Sequence, residues 1–199
     1  MTETAIPEGL KLALEHLTAV RELDRYLRKK GVEKDIGRYI KETVCPALQE
    51  RLPAIRSWTC EVDEESVEWH PESWKLGRGS HLSLYLYLPS PISPLDPDPA
   101  LGLFAPAKRG GYSALTTRST PFVAALVAAG FGLAEEHGWV KEVPLGKYVS
   151  WLAADGSFDE KDLLDRIAAE ARKIVDLEPE ITRTVCQFAA KSGRKKAKR

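Results

Sequence analysis

Between His81 and Leu88 the chain alternates strictly. Leu82, Leu84, Leu86 and Leu88 fall on one parity; His81, Ser83, Tyr85 and Tyr87 fall on the other. A period of two is that of a β-strand, whose successive side chains leave on opposite faces. The pattern predicts a central strand with one wholly apolar face, which helices must cover. The tyrosine face is amphipathic and is expected to stay reachable by water or a partner.

Helical spacing precedes this strand. Leu10, Leu14, Leu17, Val20, Leu23 and Leu27 recur at intervals of three and four, the stripe of an amphipathic helix over residues 8–30. Pro7 suits its first turn and Gly31 its C-terminal stop. Arg28, Lys29 and Lys30 fall in the last turn, where they complement the helix dipole. Ile36, Ile40, Val44 and Leu48 mark a second helix, and Pro46 inside that stripe predicts a kink or break before it. The pair reads as a layer over the sheet, and also as a candidate homodimerisation hairpin.

Strands follow. Trp58, Cys60 and Val62 alternate with Thr59, Glu61 and Asp63; a turn at 63–66 and extended residues 67–70 make a hairpin. The segment from Pro89 to Pro99 holds five prolines in eleven residues, so it reads as a loop. Leu101 to Ala105 is a short buried strand. Thr120 caps and Pro121 opens a helix whose residues Phe122 to Ala129 are apolar all round, which predicts a short buried helix stopped by Gly130. Residues 139–140 and 148–152 read as further strands. Ser157 and Glu160 form a capping box for a helix carrying Leu163, Leu164, Ile167, Ala171, Ile174 and Val175. Pro179 ends or bends it, and Ile181, Val185 and Phe188 continue a final helix.

Neither a repeat nor a linker interrupts this order. The expected fold is α+β: a single domain over residues 1–190, with a mainly antiparallel sheet of about five strands covered by the N-terminal helix pair and the C-terminal helices. Residues 191–199 read as a basic, disordered tail.

Composition narrows the class. A hydrophobic share of 43% and a charged share of 29% are those of a globular chain able to bury its own core. No apolar run reaches the ~18 residues of a membrane span, so no membrane role is expected. Cys45, Cys60 and Cys186 are odd in number and far apart, which suits reduced thiols in the cytoplasm and not a disulfide framework. The zero net charge hides an asymmetry: six basic residues lie in the last nine, leaving the preceding body with 23 basic against 29 acidic residues. Such a tail can meet phosphate or an acidic partner.

Three groupings carry candidate chemistry. Lys108 and Arg109 precede Gly110 and Gly111, and Arg118 lies just before the Pro121 helix; together with Arg194, Lys195, Lys196, Lys198 and Arg199 they are the candidate anion or nucleic-acid contacts. Glu61, Asp63, Glu64, Glu65, Glu68 and Glu72 form either a set of metal oxygens or a solvated edge that discourages strand pairing. His70 and His81 are close enough in sequence to meet across strands, and Cys60 is a candidate thiol beside them. The histidines lack metal-ligand spacing, so no metal and no cofactor is assigned.

The order of helix, three extended segments, helix and strand resembles the core order of the PD-(D/E)XK nuclease superfamily. The resemblance maps residues 36–52, 58–69, 81–88, 101–107, 120–129 and 148–152. That family needs an Asp at the end of the second strand and a Glu/Asp-x-Lys triad in the third, because those carboxylates hold magnesium beside the activated water. Here the second strand ends in Leu88-Pro89, and the third reads Leu103-Phe104-Ala105-Pro106-Ala107-Lys108, with no carboxylate before Lys108. The resemblance implies a degenerate, non-catalytic relative.

The functional expectation is a non-enzymatic protein-interaction protein of bacterial or phage type. Its contact face carries Tyr85 and Tyr87 with Trp69 and Trp74, residue types favoured as anchors. The alternatives are nucleic-acid association through the basic tail and a metal-dependent hydrolase on the acidic strand.

Overall fold

A computed structural model describes residues 16, 18–19, 21–22, 31–75, 81–89, 98–105, 120–134, 139–147, 152 and 157–196. Of the first expected helix, Thr18, Ala19, Arg21 and Glu22 are described and helical and His16 lies in a turn; the rest lies outside the described residues. Most of the proline-rich segment, and residues 148–151 expected as a strand, also lie outside them.

The centre of the fold is a six-stranded antiparallel sheet. Its strands are β1 (Thr59–Val62), β2 (Ser66–His70), β3 (Ser83–Tyr87), β4 (Ala100–Ala105), β5 (Gly132–Ala134) and β6 (Trp139–Pro144), in the order β1-β2-β3-β4-β6-β5. Helices α1 (Gly31–Tyr39), α2 (Cys45–Arg51), α3 (Pro121–Ala128), α4 (Glu160–Val175) and α5 (Glu178–Lys196) complete the α+β domain. The short strand β5, which begins two residues after Gly130, is not among the strands expected from the sequence.

Register explains why β3 is the middle of the core. Leu84 lies between Trp69 and Leu103, and Leu86 between Val67 and Leu101. All six are fully buried, as are Leu82 and, within a per cent, Leu88. Burying each leucine contributes about 1.5–3 kcal/mol. Ile40, Val44, Leu48, Ile167, Ile174, Ile181 and Phe122 from the surrounding helices join the same cluster. Arg51 of α2 also donates to Asp165 of α4 at 2.9 Å, tying two helices together beside the core.

Several helix boundaries differ from the expected ones. Gly31 is helical and opens α1, so it is not a stop. The α-helix is interrupted before Pro46, as the stripe predicts, and the form of the interruption is specific. A π-helical turn at Ile40–Val44, closed by Cys45 N–H donating to Ile40 O, shifts the hydrogen-bond register and leaves Pro46 in the first turn of α2. Gly37 suits the place where α1 passes the β1–β2 turn, because a Cβ there would sit 3.3 Å from the carbonyl oxygens of Asp63 and Glu64, a tight contact.

Thr120 occupies the position before α3, but its side chain makes no capping bond. The helix does end as expected at Gly130, which adopts φ +94° while Gly130 N–H and Phe131 N–H return to Val127 O and Leu126 O. α3 is not buried all round: Phe122, Val123 and Leu126 face the core while Val127 is 52% exposed. α4 is capped by Asp159, whose carboxylate accepts from Asp162 N–H at 3.0 Å, in place of the expected Ser157. α5 keeps its helical backbone through Lys196, past the expected start of the tail.

Candidate functional site

The sheet face opposite the leucines is polar, and strand parity builds it. Ser66, Glu68 and His70 alternate with the buried Val67 and Trp69 on β2. Antiparallel register sets Glu61 directly across from Glu68, then Glu68 from Tyr85 and Ser66 from Tyr87. Residues directly opposite share a face. His81 joins the group through an isolated bridge to Lys75 just before β3.

At one end of this face two imidazoles stack, with 3.9 Å between the ring centroids of His70 and His81. His81 Nε2 lies 3.3 Å from Glu68 Oε2, and Ser83 Oγ donates to that same oxygen at 2.6 Å. His70 Nδ1 lies 3.4 Å from the carbonyl of Pro71. Its Nε2 is buried without a hydrogen-bond partner, 3.7 Å from Glu61 Oε1. One ligand atom each from Glu61, His70 and His81 fall within 4.8 Å of one another.

At the other end lie the tyrosines. The rings of Tyr85 and Tyr87 stack at 6.5 Å with 9° between their planes, and Phe104 approaches Tyr85 at 5.6 Å. Both tyrosines are half-buried. Burial pushes the Tyr85 phenol up to about 12, against the pull of its hydrogen bond with Ser66; the charges of Glu68 and Glu142 add to the rise. Burial likewise raises Tyr87, reinforced by Glu65. The tyrosine strip therefore sits in a field of carboxylates.

Trp69 and Trp74 do not belong to this surface. Both are fully buried. Trp69 shares the inward parity of Val67. Trp74 sits in a 3₁₀ turn (Glu72–Trp74) and packs against Trp58 with ring centroids 5.1 Å apart, while its indole N–H donates to Thr182 of α5 at 3.1 Å. Neither has surface left for a partner.

Cys60 is not beside the histidines. It pairs in register with Trp69 and meets Cys45, with 3.8 Å between sulfurs. The Cys45–Cys60 hydrogen bond lowers the Cys60 thiol below its ordinary value against the opposing effects of burial and Glu61, and it raises Cys45. Of the anion candidates, Lys108, Arg109, Arg118, Lys198 and Arg199 lie outside the described residues; Arg194, Lys195 and Lys196 belong to the helical backbone of α5. A groove of about 660 Å³ lies between α1 and the β1–β2 hairpin, and it mixes Lys34, Arg38 and Lys41 with Glu42, Asp63 and Glu64.

The sequence pointed to His70 and His81 as neighbours and to Glu61 and Glu68 as members of an acidic set, either metal oxygens or a solvated edge. It missed that the pairing of three segments brings these residues together. The available signal was parity: Glu68 and His70 share one, as do His81 and Ser83.

No family model, curated protein or solved structure matches this chain. Among the described residues, no helix is long and apolar enough to cross a membrane.

Proposed function

We propose that this chain is a non-enzymatic interaction protein of bacterial or phage type. Its polar sheet face receives a cationic segment of a protein partner. The observation that carries the reading is the stacked Tyr85–Tyr87 pair among carboxylates. Aromatic faces attract Lys and Arg side chains, by about 0.5–2 kcal/mol each depending on desolvation. Acidic neighbours on the same face add attraction and steer association. The three free cysteines support a reducing compartment, and hence the cytoplasm.

Affinity capture from the native host tests this with three proteins: the full chain, a Tyr87→Thr variant and a chain ending at Ala190, each with and without nuclease. Thr keeps strand propensity, and an unchanged melting temperature verifies the variant's fold. The reading expects a protein captured by the full and shortened chains, released by salt and lost with Tyr87→Thr. Recovery of nucleic acid alone, and only with residues 191–199 present, would replace this reading with nucleic-acid association through the tail.

A further inference from the structure

We propose that Glu61, His70 and His81 form a binding site for a first-row divalent cation, with zinc the best fit. It occupies the opposite end of the sheet face from the tyrosine strip and does not depend on any partner.

Four observations converge. First, the donor set is right: two imidazoles and one carboxylate are a recurrent three-ligand set for Zn²⁺, leaving a fourth position open to water. Second, the spacing is close. Tetrahedral ligands at zinc distances stand roughly 3.3–3.5 Å apart, and the three ligand atoms here lie within 4.8 Å of one another. Glu61 is 62% exposed, so its side chain is free to swing in and close the difference.

Third, His70 Nε2 is buried, unpartnered and faces Glu61. A buried imidazole nitrogen without a partner costs about 1–3 kcal/mol. When Nδ1–H donates to the Pro71 carbonyl, Nε2 presents a lone pair to a carboxylate oxygen, and a cation between them satisfies both. At 3.7 Å a direct hydrogen bond from a protonated His70 is too long. Fourth, Glu61 and Glu68 stand directly opposite each other across β1 and β2. Like charges in that relation destabilise a sheet, and a bound cation removes the penalty.

The surroundings match those of metal-bound histidines, whose second nitrogen is held by a carboxylate or backbone carbonyl. His70 Nδ1 has the Pro71 carbonyl, which leaves its Nε2 for the ion. Glu68, held by Ser83 at 2.6 Å and 3.3 Å from His81 Nε2, orients the His81 ring as a positioning residue.

The test uses the purified full-length protein after chelator treatment. Zn²⁺ is titrated by calorimetry, and Co²⁺ is added as a spectroscopic probe. The expected result is one ion per chain, an intense visible Co²⁺ spectrum of tetrahedral type, and a melting temperature that rises with Zn²⁺ concentration. His81→Ala and the surface change Glu61→Gln each weaken Zn²⁺ binding by about a hundredfold or more, at least the loss seen when outer partners are removed. His16→Ala, on an exposed residue outside this ligand set, leaves it unchanged. Absence of binding, or binding that persists unchanged in both Glu61→Gln and His81→Ala, overturns the proposal. Neither outcome bears on the tyrosine strip, whose test reads capture of a protein.

Discussion

His70 and His81 stack with 26° between their ring planes, although one closes β2 and the other precedes β3. The stack lets each ring reach a different carboxylate, Glu61 for His70 and Glu68 for His81. The polar face of the sheet is therefore organised from its histidine end, while the tyrosines at its other end face the carboxylates of Glu65, Glu68 and Glu142. Four further outcomes follow from the packing and the charges around it.

Leu84 is fully buried between Trp69 and Leu103 at the centre of the sheet. Leu84→Ala leaves a cavity that rigid strand neighbours cannot fill. Denaturant unfolding is expected to show a loss of about 2–5 kcal/mol. A loss under 1 kcal/mol would place β3 away from the core.

Asp159 caps α4 through Asp162 N–H. Asp159→Ala is expected to cost about 0.5–2 kcal/mol in the same measurement. No loss would return the cap to Ser157, where the sequence motif puts it.

Cys60 carries a lowered thiol pKa through its hydrogen bond with Cys45. At neutral pH more of Cys60 is thiolate than of an ordinary cysteine, and thiolate is the reactive form. Iodoacetamide followed by mass spectrometry is expected to label Cys60 well before the buried Cys45. Cys45→Ala removes that hydrogen bond, raises the Cys60 pKa and slows its labelling at neutral pH. Unchanged labelling in that variant would break the link between the two sulfurs.

The Tyr85 phenol is raised from 10.0 to about 12. A raised folded-state pKa favours the neutral form, so its contribution is complete below pH 10 and is lost as pH climbs toward 12. Tyr85→Phe cannot ionise and is expected to flatten the alkaline fall in stability across that window. An identical alkaline profile for the variant would assign the fall to other groups.

The apolar side of this fold is readable from the chain because parity alone decides it. Leu82 to Leu88 declare an inward face without reference to any other segment, and Val67 and Trp69 repeat the signal. That same parity places Trp69 inside; grouping it with the tyrosines followed residue type instead of alternation. The polar side needs register, which no single strand contains. Glu61, Glu68, His70, His81 and Ser83 come from three segments, and only the β1–β2 and β2–β3 pairings bring them together. Local rules also failed where backbone hydrogen bonding adapts. Pro46 does mark an interruption of the α-helix, but its form, a π-turn over Ile40–Val44 that leaves Pro46 in a first turn, is not legible from the stripe. Apolar composition around α3 suggested full burial, yet the sheet covers only one side and leaves Val127 in water.

Site-specific photocrosslinking in the native host tests the central claim most directly. A benzophenone amino acid replaces Tyr87 on the polar face, or Glu42, which is exposed on the helical side. The account predicts a discrete protein adduct from position 87, weakened by added salt, and none from position 42. No adduct at position 87, or equal adducts from both positions, would contradict it.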